Sequence, residues 1–221
     1  MRDEMFHEGR GYRELSAAWI EWLAVFSALL AVGLGVLGRR VTWVFWVISS
    51  LFYLGIFAEA KLWADSGLQL VFILAAIWGW LRWGKQAFSP GLMALRGRLF
   101  ALSSALLAWL ALFGLLRLLG GEAALGDAFV AAFSLVAQIL MVRQRLEHWL
   151  FWIAANLTGV LLFWIQGLKA TAGLYLLFAL LALIGFSQWR KQMNLEAWRL
   201  SASLPQDASQ AAAKPLGNAQ P

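Results

Sequence analysis

Seven long apolar runs, separated by short polar breaks, constrain the fold of this chain more than any other feature. They lie at 19–37, 41–58, 67–83, 99–119, 128–142, 149–166 and 170–189. A helix that crosses the hydrocarbon core of a bilayer needs about 20 apolar residues. The runs do not alternate as the strands of an outer-membrane barrel would. We therefore expect an all-α membrane protein with seven transmembrane helices.

The composition excludes several other classes of protein. Of the 221 residues, 62% are hydrophobic and 14% are charged, whereas soluble domains average about 45–50% and about 25%. The chain has no cysteine, which excludes disulfides and thiolate catalysis. His, Asp and Glu do not cluster with metal-ligand spacing, so we expect no metal, no cofactor and no enzymatic activity. The basic residues flank apolar runs, which indicates membrane insertion and not nucleic-acid binding.

The two ends of the chain differ in composition from the apolar region. Residues 1–15 form a polar segment that lacks the features of a cleaved signal, so we expect no processing. Residues 193–221 are expected to form a largely disordered cytoplasmic tail. Twelve Lys and Arg residues fall on one side of the predicted topology and six on the other. The positive-inside rule then places the N-terminus outside and the C-terminus in the cytoplasm.

An internal repeat relates the two halves of the apolar region. When residues 42–83 are laid over 148–189, an offset of 106, 15 of the 42 positions are identical; chance would give roughly one in ten. Four predicted helices separate matching points, so both repeats cross the membrane in the same direction. We predict three-helix repeats at 16–83 and 123–192, joined by a loop and linker helix at 84–122. Parallel repeats of this kind are typical of transporters that bind substrate near the midplane.

Polar and aromatic side chains within the predicted helices are candidate substrate contacts. Trp152 and Asn156 share one helix face with Trp149, and the repeat places Trp46 and Ser50 on the equivalent face. An amide near the bilayer centre needs a partner, which is either a cargo or a neighbouring helix. The candidate substrate-binding residues are Asn156, Gln138, Trp152, Trp80, Trp46, Gln69, Gln188 and Ser50.

Tryptophans near the ends of the apolar runs are expected to anchor the helices at the membrane interface. This group comprises Trp19, Trp63, Trp83, Trp149, Trp189 and Trp198. No acidic or basic residue is predicted to lie deep within a helix. Because coupled pumps usually carry an intramembrane carboxylate, we expect uncoupled, facilitated transport.

Five motifs together resemble the PnuC-type nicotinamide riboside transporters of bacteria. They are W-I-E-W at 19–22, L-Q-x8-W-G-W-x-x-W at 68–83, S-x3-Q-I-L-M at 134–141, E-x-W-L-x-W-x3-N at 147–156 and I-Q-G at 165–167. The resemblance covers residues 16–192. It implies a SWEET-like fold of three, one and three helices, and facilitated diffusion of nicotinamide riboside across the inner membrane by alternating access. It also implies a separate cytoplasmic nicotinamide riboside kinase that traps the cargo. By analogy with this fold we expect a homo-oligomer, such as a trimer.

The helices alone leave several cargoes open. Relatives of this family carry thiamine or riboflavin, and a sugar transporter of the same fold is a further alternative. Nicotinamide riboside fits the candidate residues because indole faces attract a cationic ring and amides can bond ribose hydroxyls. A phosphorylated nucleotide would require Arg or Lys in the cleft, and the sequence predicts none there.

Overall fold

The computed structural model describes residues 2–59, 63–85, 87–119 and 124–203. Seven α-helices account for almost all of these residues. They are α1 (Arg2–Val36), α2 (Thr42–Glu59), α3 (Trp63–Trp83), α4 (Leu95–Leu118), α5 (Ala124–Val142), α6 (His148–Ile165) and α7 (Lys169–Ser203). Each contains an apolar stretch of at least 18 residues, which is long enough to cross a membrane. The prediction of an all-α chain with seven membrane-length helices is confirmed.

Several helices extend beyond the apolar runs that predicted them. The helices α3, α4 and α5 each begin four residues before the predicted start of the run. Residues 193–203, which were predicted to begin a largely disordered tail, continue α7 as helix to Ser203. This segment is rich in Leu, Ala, Glu, Arg and Met, which are strong helix formers, so a helix that is already nucleated continues through it. The rest of the predicted tail, 204–221, lies outside the described residues.

The helices pack in two groups, α1–α3 and α5–α7, which contact each other at two places. Helix α2 lies between α1 and α3, and α6 lies between α5 and α7. The two groups meet where α1 packs on α7 and where α3 packs on α5, while α4 lies against α5. Small residues allow close approach within the groups. For example, Ser49 of α2 donates a 3.0 Å hydrogen bond to the carbonyl oxygen of the buried Ala24 in α1.

The outer surface of the bundle is apolar. Helix α4 is the clearest case, since Leu95, Phe100, Leu107 and Leu118 are each at least two-thirds exposed. A water-soluble domain rarely exposes so large a continuous apolar surface. These side chains therefore suit contact with lipid, and the polar and aromatic groups that could act on a solute lie inside the bundle.

Two helix ends at the same side of the bundle use the left-handed backbone conformation. Gly38 follows α1 with φ 65° and Gln144 follows α5 with φ 55°. In both turns the next residue, Arg39 or Arg145, donates a 3.0 Å hydrogen bond to a carbonyl oxygen of the preceding helix, which is the usual glycine-type helix end. Position 144 is 106 residues after position 38, so the two turns are equivalent in the repeat.

The loop between α3 and α4 crosses this side of the bundle. We call residues 87–94 the strap. The strap contacts the turn between α5 and α6, where the backbone N–H of Gly91 donates to the Gln144 carbonyl at 3.0 Å and that of Leu146 donates to the Gly91 carbonyl at 2.9 Å. The strap is therefore bonded to the turn between α5 and α6.

Candidate functional site

Two equivalent tryptophans fill the core at the strap side of the bundle. Trp43 at the start of α2 and Trp149 at the start of α6 are almost completely buried. Each indole lies directly over a glycine of the third helix of its group, Gly79 for Trp43 and Gly185 for Trp149. Both pairs are equivalent under the repeat offset of 106 residues.

A second pair of tryptophans joins the two groups of helices. Trp83 ends α3 and packs edge to face on Trp43 at 5.1 Å, and its equivalent Trp189 in α7 packs edge to face on Trp149 at 5.6 Å. The Nε1 of Trp83 donates to the Val142 carbonyl of α5 at 3.1 Å. The Nε1 of Trp189 donates to the carbonyl of Gly35 in α1 at 3.0 Å. Each third helix is thus hydrogen-bonded to the first helix of the other group.

The expectation that tryptophans near helix ends anchor the membrane interface is wrong for three of the six. Trp83, Trp149 and Trp189 are buried in the core because each packs on aromatic rings of neighbouring helices. Trp19 and Trp198 are more than two-thirds exposed and suit the interfacial role. The side chain of Trp63 lies outside the described residues.

His148 and Phe88 complete this aromatic cluster. The His148 ring is fully buried, at 4.3 Å from the Trp149 ring and 4.5 Å from the Trp189 ring. Phe88 of the strap lies 5.2 Å from the Trp83 ring and 4.9 Å from the Trp189 ring. The rings of Trp83 and Trp189 are themselves 6.1 Å apart. Aromatic rings therefore close this side of the bundle between the two groups of helices.

Trp46 and Trp152 meet deeper in the same core. They are equivalent residues, one turn further along α2 and α6 than Trp43 and Trp149, and their rings stack at 5.6 Å with an interplanar angle of 23°. Trp46 also contacts Phe72 of α3 at 6.2 Å. The Nε1 atom of Trp46 is buried and has no hydrogen-bond partner within the described part of the chain. The repeat predicts that these two indoles are equivalent, and in the structure they contact one another.

Three predicted polar candidates lie buried inside the bundle. Gln138 of α5 is 1% exposed, Ser50 of α2 is 2% exposed and Asn156 of α6 is 6% exposed. Neither the Oε1 nor the Nε2 atom of Gln138 has a hydrogen-bond partner among the residues that the structure describes. Gln138 lies one helical turn from Met141, which packs in the same core cluster as Trp46 and Trp152. A buried amide without partners is rare and costly, so Gln138 is well placed to bond a solute.

Of the other three candidates, Gln69 and Gln188 are not part of this group, and Trp80 packs against the same core cluster as Trp46 and Trp152. Gln69 is half-buried near the start of α3, and Gln188 of α7 is half-buried beside a shallow outer groove that Lys191 also lines. Trp80 is half-buried, and the Arg40 guanidinium lies over its ring at 3.8 Å. The Arg40 Nε also donates to the Trp80 carbonyl at 2.9 Å. Arg40 therefore occupies a face of Trp80 that was predicted to be open to cargo.

The sequence analysis did not identify the strap as part of the site. Its residue Phe88 has no periodic apolar neighbours, so no pattern assigns it to the core. A signal was nevertheless present at Gln144, because the repeat aligns it with Gly38 at a helix end where glycine is strongly preferred. The Gln144 Oε1 accepts a hydrogen bond from the backbone N–H of Ser89 at 2.8 Å, which explains the exception.

Seven membrane-length helices that enclose aromatic and amide side chains define a multi-pass membrane transport protein. The sequence model of one family, described as "Nicotinamide mononucleotide transporter", matches residues 18–191. The chain therefore belongs to this transporter family, whose members are multi-pass proteins of the inner membrane.

Individual relatives agree with this assignment. The chain is 31% identical over 214 residues to the nicotinamide riboside transporter PnuC of Escherichia coli, a match that covers 82% of this chain and 88% of that protein. It is 25% identical over 180 residues to the riboflavin/roseoflavin transporter RibM of Streptomyces davaonensis, covering 77% and 84%. The crystal structure of the vitamin B3 transporter PnuC superimposes with a TM-score of 0.68 at 21% identity, covering 80% of this chain and 83% of that one.

Proposed function

We propose that this protein carries nicotinamide riboside across the inner membrane by facilitated diffusion. The observation that carries the proposal is the stacked pair Trp46 and Trp152, with the buried amide of Gln138 one helical turn from Met141 of the same core cluster. The membership of the family and the 31% identity to a nicotinamide riboside transporter support it. The aromatic pair suits the flat cationic pyridinium, and the amides suit the carboxamide and ribose groups.

The proposed architecture is a SWEET-like arrangement of two three-helix repeats, α1–α3 and α5–α7, with α4 as linker. The contacts between the groups support it, since α1 packs on α7 and its equivalent α5 packs on α3. The matched pairs of Trp43 with Gly79 and Trp149 with Gly185 add a second line of support. Alternating access then corresponds to the two repeats separating first on one side and then on the other.

The polar candidates divide into a central and a peripheral group in this proposal. Trp46, Trp152, Gln138, Asn156 and Ser50 would contact the cargo, because all five are buried or half-buried in the bundle interior. Gln69 would lie on the entry path from the other side of the bundle. Trp80 and Gln188 would lie near the exit at the strap side.

Riboflavin is the second candidate cargo, because RibM, a riboflavin/roseoflavin transporter, is a 25% identical relative. Both cargoes are flat heteroaromatic rings with a hydroxylated arm. They differ in ring area, since the isoalloxazine is three fused rings and the pyridinium is one. The two indoles stack at 5.6 Å without a cargo. A larger free area must open beside and between them for the isoalloxazine than for the pyridinium.

A binding and uptake screen on the purified protein tests the cargo. We expect nicotinamide riboside to bind more tightly than riboflavin, thiamine or glucose. We also expect it to equilibrate across proteoliposomes without accumulating against its gradient. Tighter binding of riboflavin would replace the first proposal with the second. Accumulation driven by an imposed pH or Na⁺ gradient would contradict facilitated diffusion.

The proposed orientation places the strap side in the cytoplasm, because twelve of the eighteen Lys and Arg residues lie on that side,. A kinase on that side would then trap the cargo by phosphorylation. Cysteines introduced singly at Leu92 in the strap and at Lys169, the first residue of α7, test the orientation in this cysteine-free chain. An impermeant thiol reagent should label the Lys169 position from outside intact cells and leave the Leu92 position unlabelled. Labelling of the Leu92 position alone would reverse the topology.

We also propose a homo-oligomer, such as a trimer, from the analogy with SWEET-like proteins. The exposed apolar face of α4 is compatible with either lipid or a second copy. Native mass measurement in mild detergent decides the question, and a monomeric mass at all concentrations would end the proposal.

A further inference from the structure

We infer that Phe88 is the gate residue at the strap side of the bundle, and that the strap moves with the second repeat when this side opens. The inference rests on the proposed transport function. It follows from a difference in how the strap is held by the two repeats.

Hydrogen bonds hold the strap to the second repeat. The Gln144 side chain accepts from the Ser89 backbone N–H at 2.8 Å, and the Glu147 carboxylate accepts from the Met93 backbone N–H at 2.9 Å. Two backbone hydrogen bonds of Gly91, described above, add to these. The Ser89 hydroxyl also donates to Glu196 on the extension of α7 at 3.1 Å. All of these partners belong to α5, α6, α7 or the turn between α5 and α6.

The contacts of Phe88 with the first repeat are of another kind. Its ring lies against Gly38 in the turn after α1, where a β-carbon would overlap the ring. It also packs on Trp83 at 5.2 Å. These are van der Waals contacts, which have no strong directional component and are lost as soon as the surfaces part. The structure thus separates a hydrogen-bonded side of the strap from a side where the non-covalent contacts of Phe88 are packing contacts.

The two equivalent helix ends show the same division. The first repeat has Gly38 at the left-handed position, which leaves room for the Phe88 ring. The second repeat has Gln144 there, although a side chain disfavours this conformation, and that side chain binds Ser89. The neighbouring strap residues Phe88 and Ser89 therefore contact different turns. The glycine in the first turn leaves space for the Phe88 ring, and the glutamine in the second turn accepts the hydrogen bond from Ser89.

Opening on this side must break a defined set of contacts. The two cross-repeat hydrogen bonds of Trp83 and Trp189 would part, and Phe88 would leave Gly38 and Trp83. The contact of Phe88 with Trp189 of α7 persists when the strap moves with the second repeat, so Phe88→Ala selectively removes from the closed state the packing on Trp83 and Gly38. An aromatic pair of this kind contributes about two- to tenfold to an equilibrium, and the packing on Gly38 adds to it, so Phe88→Ala should raise the open population about tenfold.

Thiol labelling measures this population in the full chain, because the protein has no natural cysteine. A cysteine at Ala182, which is 1% exposed and lies two turns from Trp189 in α7, reports access to the core. In reconstituted vesicles it should label about tenfold faster with Phe88→Ala than with Phe88, and at an intermediate rate with Phe88→Leu. A second cysteine reporter, at the exposed Leu92, measures the fraction of protein molecules inserted with the strap side facing the reagent. Equal rates in all three backgrounds, with normal labelling at position 92, would overturn the gate.

Phe100→Ala is the matched control for loss of an aromatic ring. Phe100 lies on α4 and is 74% exposed, so its removal should leave the labelling of position 182 unchanged. Equal acceleration by Phe100→Ala and Phe88→Ala would show general loosening and would also overturn the inference. Phe88→Leu retains an apolar side chain and serves where the alanine variant does not fold.

Distances between spin labels test which repeat carries the strap. One pair joins Leu92 to Leu150 in α6, and the other joins Leu92 to Val41 before α2; all three side chains are about half exposed. In the Phe88→Ala background the Leu92–Val41 pair should gain a population at longer distance, while the Leu92–Leu150 pair keeps one distance. Widening of the Leu92–Leu150 pair, or of neither pair, would overturn the inference. These measurements need no substrate, whereas failure of the wild-type protein to bind nicotinamide riboside would count against the proposed function alone.

Discussion

The indole rings of Trp46 and Trp152 stack on one another with their centroids 5.6 Å apart, and they are related by the internal repeat. A flat ring placed between two others needs about 7 Å, since carbon atoms in contact are about 3.5 Å apart. The two indoles therefore close the space that a sandwiched ring would fill. Binding of an aromatic cargo between them requires α2 and α6 to separate at this level, which couples binding to movement of the two repeats.

Removing either indole should weaken binding of nicotinamide riboside. A cation over an indole face contributes about 0.5–2 kcal/mol, so Trp152→Ala should raise Kd about two- to thirtyfold, and Trp46→Ala should act similarly. Trp152→Phe retains a ring and should lose less. Calorimetric titration of the purified variants measures the effect. Unchanged affinity in both alanine variants would place the cargo elsewhere.

The glycines beneath Trp43 and Trp149 should be required for folding. A β-carbon at Gly79 or Gly185 would overlap the indole above it, and overpacking of this kind costs about 1–3 kcal/mol. We expect Gly79→Ala and Gly185→Ala each to lower the Tm of the protein in detergent.

The same two helices supply the controls for this experiment. Gly67 in α3 and Gly173 in α7 have open space where a β-carbon would be added, and alanine is a better helix former than glycine. Gly67→Ala and Gly173→Ala should therefore leave the Tm unchanged or raise it. A drop in Tm in all four variants would show that overlap with the indoles is not the cause of the destabilisation.

The seven helices and the equivalence of Trp46 with Trp152 could be predicted from the sequence. Length and apolar composition determine which segments can cross a membrane, and the ungapped repeat identifies equivalent positions. The burial of Trp83, Trp149 and Trp189 could not be predicted this way. Lipid and protein interiors are both apolar, so a tryptophan near a helix end has the same local sequence whether it faces one or the other.

The strap illustrates a second limit. Its attachment to the turn between α5 and α6 depends on backbone groups of Gly91 and Leu146, and side-chain patterns carry no information about backbone partners distant in sequence. Gln138 and Asn156 were recognised as buried amides from sequence. Only the structure distinguishes them further, because both polar atoms of the Gln138 side chain lack a partner among the described residues.

Asn156→Leu should weaken binding while leaving the fold intact. Asn156 is buried in α6, one turn beyond Trp152 on the same face. Loss of one hydrogen bond costs about 0.5–1.5 kcal/mol, and an unpaired polar group in a dry site costs about 1–3 kcal/mol, so Kd should rise about tenfold. Equilibrium binding and thermal melting are measured together. Normal affinity with a lower Tm would show that the amide joins helices and does not contact the cargo.

Gln138→Leu should stabilise the empty protein and weaken its binding of cargo. Both polar atoms of this side chain are buried without a partner in residues 2–59, 63–85, 87–119 and 124–203, and burying an unpaired amide costs about 1–3 kcal/mol. Leucine removes that cost and fills a similar volume, so the Tm of the variant should rise. The affinity for nicotinamide riboside should fall, because the cargo would lose the only groups of Gln138 that can bond it. Met141→Leu, one turn away and equally buried, is the control for a change of apolar shape and should move neither quantity by much. A fall in Tm with unchanged affinity would mean that Gln138 bonds a buried water or a neighbouring helix, and the cargo contact would have to be assigned to another residue.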